Sequence, residues 1–281
     1  MNERRDFGAT VEMTILQVKN GAAARVTRQV PTEVPFTILV NDLEIATLLC
    51  SPVDLKELVY GFLFSSGFIK TIRDIHHYTL DATRWVAHLT LAHPPDTAIL
   101  HKRMYTSGCG KGIMYASVGE IAFRQPVENT LQISHTKITA LAHWLQHCSE
   151  QYKNTGGIHT AALSIDGEPP AFHFDDIGRH NAVDKTIGRG LIDGSDFSRG
   201  TLVCSGRTSS EILHKARVCA IPIVLSRGAP THQAVLRAAE TGVTLICRAR
   251  GNGYNIHTHE NRIINDDQLK KHQDGHFNDF I

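Results

Sequence analysis

The chain has 281 residues, of which 42% are hydrophobic and 20% charged, an ordinary composition for a soluble globular protein. Its 29 basic and 28 acidic side chains leave a formal charge of +1, whereas non-specific nucleic-acid binding needs a net basic field. No apolar run approaches the roughly 18–20 residues of a membrane span, and no apolar segment follows the charged N-terminus, so no secretory signal is predicted. We therefore expect a cytoplasmic protein with neither a nucleic-acid nor a membrane partner.

Short strands dominate the first part of the chain. Loose alternation and short apolar runs predict strands over Thr10–Val18, Arg25–Val30, Phe36–Val40, Ile45–Cys50, Ile75–Leu80 and Trp85–Leu91. A helix is expected between the fourth and fifth of these, with Ser51 as its N-cap and Gly67 as its stop.

Strands and helices alternate in the second part. Strands are expected over His159–Ile165, Thr201–Cys204, Pro222–Leu225 and Val243–Cys247. Helices are expected after a cap at Ser134 and over Asn181–Leu191, Ser209–Ala220 and Thr231–Thr241. This pattern is typical of a layered α/β sheet that is partly parallel. The polar stretch Arg124–Asn129 marks the expected boundary between a strand-rich domain (1–125) and an α/β/α domain (126–281).

Six scattered cysteines without a Cys-x-x-Cys pair argue for free thiols rather than disulfides or structural zinc. Cys109 differs from the others because it lies between Gly108 and Gly110, with Lys111 two residues on. Glycines let a loop bend outward, and a nearby ammonium favours the reactive thiolate. A tight turn that happens to contain a cysteine is the alternative.

Two polar segments lie at junctions between predicted strands and helices, where α/β folds place ligands. The first, Asp175–Lys185, includes Arg179 and His180 and carries more polar groups than helix capping needs. The second, Ser205–Glu211, opens a helix, so its backbone N–H groups and Arg207 could bind an anion. A capping box with Thr208 as the cap explains the second junction equally well.

A third junction follows the last predicted strand. It contains Arg248, Ala249, Arg250, Gly251, Asn252 and Gly253. Two arginines and two glycines in this position suit a phosphate or a planar polar ring, and a hairpin turn with solvated arginines stays open as the alternative.

Metal binding is not expected. His143 and His147 are spaced i,i+4 on a predicted helix but lack the glutamate of an HExxH motif. The zinc deaminase motif is also missing, because no His-x-Glu begins at His159 and no Cys-x-x-Cys follows.

Several unusual segments, in family order across most of the chain, resemble the formate dehydrogenase accessory sulfurtransferases. They are Ser51–Leu58, Gly108–Gly110, Gly157–Ala162, Asp176–Lys185, Ser205–Ser209, Ala229–Thr231 and Gly242–Leu245. The resemblance implies a homodimeric, cytoplasmic sulfurtransferase without a metal of its own. It implies that Cys109 takes persulfide sulfur from a cysteine desulfurase and passes it to the molybdenum (or tungsten) bis-molybdopterin guanine dinucleotide cofactor of formate dehydrogenase.

The resemblance also implies a C-terminal core with the fold of cytidine deaminases, and it places the dinucleotide-binding stretch on Arg248 to Gly253. Because the guanine dinucleotides are anionic, Arg207 and Arg250 are expected phosphate contacts, with Arg179 and His180 in the same pocket.

The chain departs from the family pattern at two places. The commoner family loop is Cys-x-x-Cys, and here the second position is Gly112; the Arg248 to Gly253 stretch is also more basic than usual. Two other classes of function compete. A cofactor-binding chaperone would need no reactive thiol, and a Cys-His hydrolase would need His159 or His180 close to Cys109.

Overall fold

The computed structural model describes residues 8–93, 103–105, 113–115, 127 and 129–266. Its strands are β1 (Thr10–Lys19), β2 (Ala22–Pro31), β3 (Val34–Val40), β4 (Leu43–Cys50), β5 (Ile75–Asp81), β6 (Val86–Leu91), β7 (Arg103–Tyr105), β8 (Ile113–Tyr115), β9 (Ile133–Ser134), β10 (His159–Ile165), β11 (Phe174–Asp176), β12 (Gly200–Cys204), β13 (Ile223–Ser226), β14 (Thr244–Arg250), β15 (Gly253–Thr258) and β16 (Ile263–Ile264). Its helices are α1 (Leu55–Ser65), α2 (His135–His147), α3 (Glu150–Thr155), α4 (Arg179–Ile192), α5 (Ser210–Val218) and α6 (His232–Thr241). The predicted mixed α/β class is confirmed.

A six-stranded sheet organises the second part of the chain, in the order β11-β10-β12-β13-β14-β15. Strands β12, β13 and β14 are parallel, and the other pairings are antiparallel, as the predicted partly parallel sheet requires. Strands β11, β12, β13 and β14 therefore end at one edge of the sheet, and strands β10 and β15 begin there. We call this edge, with the loops attached to it, the carboxyl edge.

Helices cover both faces of this sheet. Residues of α4, α5 and α6 pack on one face, around Ile187, Leu213 and Ala238, and α2 packs on the other through Ile138 and Leu141. All five residues of β12 are buried as a result. Strands buried on both faces are continuously apolar, which is why short apolar runs located them. No described helix has both the length and the apolarity needed to cross a membrane.

The first part of the chain forms a four-stranded sheet in the order β4-β3-β6-β5. Leu58, Leu63 and other buried residues of α1 share one hydrophobic core with Phe36 and Ile38 of β3. Strands β1 and β2 pair separately as a two-stranded antiparallel ribbon. The sheet and α1 thus form a second layered unit beside the six-stranded sheet.

Helices α1 and α4 join these two units at a crossing without side chains between them. A Cβ on Gly61 would lie 1.7 Å from the Asp184 carbonyl oxygen, and a Cβ on Gly188 would lie 1.9 Å from that of Glu57. The two backbones are therefore in direct contact, which only glycine permits here.

Two buried ion pairs lie next to the crossing and join α4 to β11 and to α5. Lys185 Nζ lies 2.8 Å from Asp176 Oδ2, and Lys215 Nζ lies 2.9 Å from Asp184 Oδ1. Ser65 of α1 donates a hydrogen bond to Asp184 Oδ1 at 2.7 Å. The Ser65 hydrogen bond thus links α1 to a buried ion pair whose loss would leave an uncompensated charge.

Two predicted helix caps are wrong. Helix α1 begins at Leu55 with Asp54 as its N-cap, while Ser51 is buried and its hydroxyl accepts a hydrogen bond from the Ile177 N–H at 3.3 Å. Helix α5 has Ser209 as its N-cap, and buried Thr208 instead forms a bridge with Pro230. The Thr208 hydroxyl accepts a hydrogen bond from the Cys247 thiol at 3.7 Å, so in both cases a distant segment supplies the partner of the hydroxyl.

Strands β11 and β15 and helix α3 were not predicted. Strand β16 (Ile263–Ile264), which pairs in parallel with β9, was not predicted either. The predicted boundary between 1–125 and 126–281 falls beside residues outside the described part, so this division stays a prediction. The cytidine-deaminase-like fold expected for the C-terminal core also stays a prediction.

Candidate functional site

Positive side chains lie together at the carboxyl edge, because an arginine follows or lies at the end of each of the strands β11, β12, β13 and β14. These side chains are Arg179 at the start of α4, Arg207 after β12, Arg227 after β13, and Arg248 and Arg250 in β14. Among the described residues, Arg207, Arg227, Arg248 and Arg250 form no ion pair with a carboxylate. The edge therefore presents uncompensated positive charge, which attracts anions.

Two glycines, buried Gly206 and half-buried Gly228, lie between these side chains. A Cβ on Gly206 would lie 2.9 Å from the Arg179 Cβ and 3.4 Å from His159 Nδ1, and a Cβ on Gly228 would lie 2.4 Å from the Gly206 carbonyl oxygen. The loops after β12 and β13 therefore touch, and Arg179 and His159 pack directly on Gly206. Arg248 joins them, because its N–H donates to the Gly228 carbonyl at 2.9 Å.

His159 lies at the amino end of β10 with a neutral ring. Burial lowers its pKa, and the positive charges of Arg179 and Arg227 lower it further, against an opposing effect of Asp176. Ser205 Oγ lies 3.4 Å from His159 Nδ1 and accepts the Thr160 N–H at 2.9 Å. A neutral imidazole in this position can donate one hydrogen bond without adding charge.

Arg227 is held in place by an aromatic ring. Its guanidinium donates to the Tyr152 hydroxyl at 2.8 Å, and its Cζ lies 4.9 Å from the Tyr152 ring centre. Tyr152 belongs to α3, which precedes β10. The guanidinium is thus oriented before any ligand arrives.

His180 lies behind the edge. Its Nε2 is 3.2 Å from Glu211 Oε2 and 3.3 Å from Ser209 Oγ. Burial lowers the pKa of His180 to about 2, and Arg179, Lys215 and His159 contribute to that shift. The ring is therefore neutral, and its hydrogen bond with Ser209 Oγ links α4 to the N-cap of α5.

The Arg248 to Gly253 stretch is the end of the β14–β15 hairpin. Arg248 and Arg250 are exposed, whereas the Ala249 side chain is fully buried against the α2 face. Gly251 has a φ of 55°, and Asn252 Oδ1 lies 2.9 Å from His143 Nε2 of α2. Gly253 is exposed and pairs with Arg250. The hairpin turn with solvated arginines is thus observed, beside the carboxyl edge, and the binding of a phosphate or planar ring there stays a prediction.

The five described cysteines are free thiols unsuited to nucleophilic chemistry. Burial raises the thiol pKa of Cys148 to about 11, of Cys204 to about 12 and of Cys247 to about 11, and it also raises that of Cys50 and Cys219. A raised pKa leaves little thiolate at neutral pH. Cys109 lies outside the described residues, between β7 and β8, which pair antiparallel with Tyr105 opposite Ile113.

Comparison with known proteins identifies the family. The FdhD/NarQ family model matches residues 31–264. The chain is 35% identical over 256 residues to Sulfur carrier protein FdhD of Bacillus subtilis (strain 168), which covers 90% of this chain and 97% of the relative. The chain belongs to the FdhD/NarQ family. It is also 38% identical over 251 residues to Sulfur carrier protein FdhD of Bacillus pumilus (strain SAFR-032), covering 89% of this chain and 95% of the relative.

The fold agrees with a solved structure. The crystal structure of a proposed formate dehydrogenase accessory protein from Desulfotalea psychrophila superposes with a TM-score of 0.73, at 23% identity, over 91% of this chain and all of that one. The two proteins share a fold.

In this FdhD/NarQ chain, the residues of the predicted Asp175–Lys185 junction fall into two groups, one at the carboxyl edge and one in the interior. Arg179 packs at the carboxyl edge, whereas Asp176 accepts hydrogen bonds from the Ser51 and Gly178 N–H groups at 3.1 and 2.8 Å. Asn181, Asp184 and Lys185 are buried as well. Much of the polar density that suggested a ligand site thus joins the two sheets.

Sequence reasoning missed Arg227 and Tyr152. Arg227 follows a predicted strand just as Arg207 does, so the rule that selected Arg207 would also have found it. Tyr152 gave no signal in the sequence, because its role depends on where α3 packs.

Proposed function

We propose that this chain is a sulfur carrier required for formate dehydrogenase activity, acting as a sulfurtransferase through Cys109. Its relatives in the family are sulfur carrier proteins. The observation that carries the proposal is the division of the cysteines: five are buried or half-buried thiols with raised pKa values, and the sixth lies between glycines.

The first step is sulfur uptake from a cysteine desulfurase. The Cys109 thiolate attacks the outer sulfur of the desulfurase persulfide, forming a new S–S bond. The desulfurase S–S bond breaks, and its cysteine leaves as a thiolate, so the step needs no oxidant. Lys111 favours the attacking thiolate by its charge.

The second step delivers that sulfur to the bis-molybdopterin guanine dinucleotide cofactor, which is the substrate. The terminal sulfur moves to the metal as the Cys109 S–S bond breaks and Cys109 returns as a thiolate. The reduced molybdenum or tungsten supplies the two electrons. Because Gly112 replaces the second cysteine of the family loop, no disulfide within this loop competes with delivery.

The carboxyl edge is the proposed site for the guanine dinucleotide. From β10 to β14 it spans three strand spacings of about 4.8 Å, or about 14 Å. Arg207 and Arg250 would bind phosphate oxygens, and the N-termini of α4 and α5 add backbone N–H groups. A cytoplasmic homodimer would provide two such edges for the two guanine dinucleotides.

Mass spectrometry of the protein after incubation with a cysteine desulfurase and cysteine tests the sulfur step. We expect one added sulfur atom, on the peptide that contains Cys109. Cofactor binding without any sulfur adduct would contradict the carrier function and favour a cofactor-binding chaperone.

Arg250→Ala is expected to weaken GDP binding about tenfold, because it removes an exposed charge-assisted contact at the proposed site. Isothermal titration calorimetry at one fixed salt concentration measures the change. The matched control is Arg199→Ala, since Arg199 precedes β12 at the opposite edge of the sheet and pairs with Asp166. Equal GDP affinity in Arg250→Ala and wild type would count against this part of the site.

A further inference from the structure

The β14–β15 hairpin contains a β-bulge just before its turn. Two residues of β14, Arg248 and Ala249, lie opposite the single residue Tyr254 of β15. The pairs on either side of the bulge are Cys247 with Asn255 and Arg250 with Gly253. An extra residue of this kind changes the face of the sheet on which the following side chains lie, and bulges often direct a side chain next to a functional site.

The bulge decides which side chain of β14 enters the core beneath α2. Alternate residues of a regular strand share a face, so residues 248 and 250 would lie on the same face as Ile246, which packs in that core. Because of the bulge, the small Ala249 packs there instead and is fully buried. Arg248 and Arg250 are exposed. The extra residue thus keeps two arginines out of the core and at the surface.

The backbone at the bulge has a conformation that arginine rarely adopts. Arg248 has a φ of 55°, in the left-handed region that disfavours residues with a Cβ. Such a residue keeps this conformation only where its surroundings determine it. One contact comes from the loop after β13, where the Gly228 carbonyl accepts the Arg248 N–H at 2.9 Å. This contact fixes the bulge from the side of β13.

Helix α2 holds the hairpin from the other side through two histidines. His143 Nε2 lies 2.9 Å from Oδ1 of Asn252, which is in the turn. His135 Nδ1 is hydrogen-bonded to the hydroxyl of Tyr254, and the two rings stack with their centres 6.0 Å apart. Asn252 and Tyr254 are alternate residues and so face α2 together. The two contacts therefore hold the turn and the residue opposite the bulge.

We propose that His135 and His143 of α2 are positioning residues for nucleotide binding. Through their contacts with Tyr254 and Asn252, they hold the bulge in the arrangement that leaves Arg250 available at the carboxyl edge. A hairpin fixed in advance loses less conformational entropy when a ligand binds. The inference rests on the proposed function, in which Arg250 binds the guanine dinucleotide, and it adds residues on a helix that has no contact with the nucleotide.

The test measures GDP affinity of the full chain by isothermal titration calorimetry at one fixed salt concentration. His143→Ala should weaken GDP binding about threefold, which is the effect of one lost neutral hydrogen bond, and His135→Phe combined with His143→Ala about tenfold. His143→Gln should restore wild-type affinity, because its amide can donate to Asn252 Oδ1 as the imidazole does. The matched control is His147→Ala, since this exposed histidine of α2 has no side-chain hydrogen bond within the described part of the chain.

A double-mutant cycle with Arg250→Ala distinguishes positioning from general support of the fold. In the Arg250→Ala background, His143→Ala should cost much less than threefold, because its hydrogen bond acts on binding through Arg250. Hydrogen exchange measured by mass spectrometry provides a second readout. Exchange should become faster in residues 248–256 of the variants and stay at wild-type rates elsewhere, which also shows that the variants are folded.

Three results would overturn the positioning function. They are unchanged GDP affinity in the variant with both histidines replaced, an equal loss from His143→Ala with and without Arg250, and a wild-type protein that does not bind GDP. The proposed function fails differently, by the absence of sulfur on Cys109. GDP binding that depends on His143 through Arg250, found together with no sulfur on Cys109, would keep the positioning function and reject the carrier.

Discussion

Cys109→Ser is expected to reduce sulfur loading and formate dehydrogenase activation to background. A hydroxyl cannot accept the persulfide sulfur, so uptake stops at its first step. The other cysteines are poor substitutes, because burial raises their thiol pKa values, and all of them except the half-buried Cys148 are also inaccessible to a second protein. Formate dehydrogenase activity in cells that lack their own carrier and express the variant measures the loss, with mass spectrometry of the purified variant beside it.

Cys148→Ser is the matched control for that loss. Cys148 is half-buried at the end of α2, and its thiol contacts only the Leu145 carbonyl at 3.6 Å among the hydrogen bonds of the described residues. A serine there can keep this contact, so loading and activation should stay close to wild type. Full activation by Cys109→Ser, or its loss in Cys148→Ser with Cys109 still loaded, would contradict the assignment of the chemistry to Cys109.

Gly188→Ala should strongly destabilise the fold. The added methyl group would lie 1.9 Å from the Glu57 carbonyl oxygen and 2.7 Å from the Gly61 nitrogen, so the α1 and α4 backbones must separate. Separation would also disturb the buried Asp184–Lys215 pair. We expect a loss of at least about 3 kcal/mol in the free energy of unfolding, measured by urea denaturation. A loss of this size is a substantial fraction of the roughly 5–15 kcal/mol by which folded domains are stable.

Gly190→Ala, on the same helix, separates this effect from helix propensity. Its methyl group would meet side-chain atoms, namely Phe197 at 2.9 Å and Leu163 at 3.2 Å, rather than backbone. Side chains can move, and alanine favours a helix over glycine by about 1 kcal/mol, so the net loss should be much smaller. Equal losses in the two variants would show that the helix crossing tolerates separation.

The sequence by itself determined the elements whose signals are local. Short apolar runs located β12, β13 and β14, since both faces of those strands are buried. Ser134 caps α2 as predicted, because its hydroxyl reaches the Lys137 N–H within the same turn. The neighbouring glycines and Lys111 distinguished Cys109 in the sequence, and Cys109 lies outside the described residues.

Only the tertiary structure decided which polar residues face the carboxyl edge and which are buried. Ser51 and Thr208 have good capping chemistry, yet the Ser51 hydroxyl accepts from the Ile177 N–H and the Thr208 hydroxyl accepts from the Cys247 thiol, in distant parts of the chain. Asp176 and Lys185 have the composition of a ligand site, but each satisfies the other in the interior. Arg227 gains its orientation from Tyr152, 75 residues away. A polar side chain binds whichever partner the fold brings within about 3 Å, and this partner depends on long-range packing that local sequence does not contain.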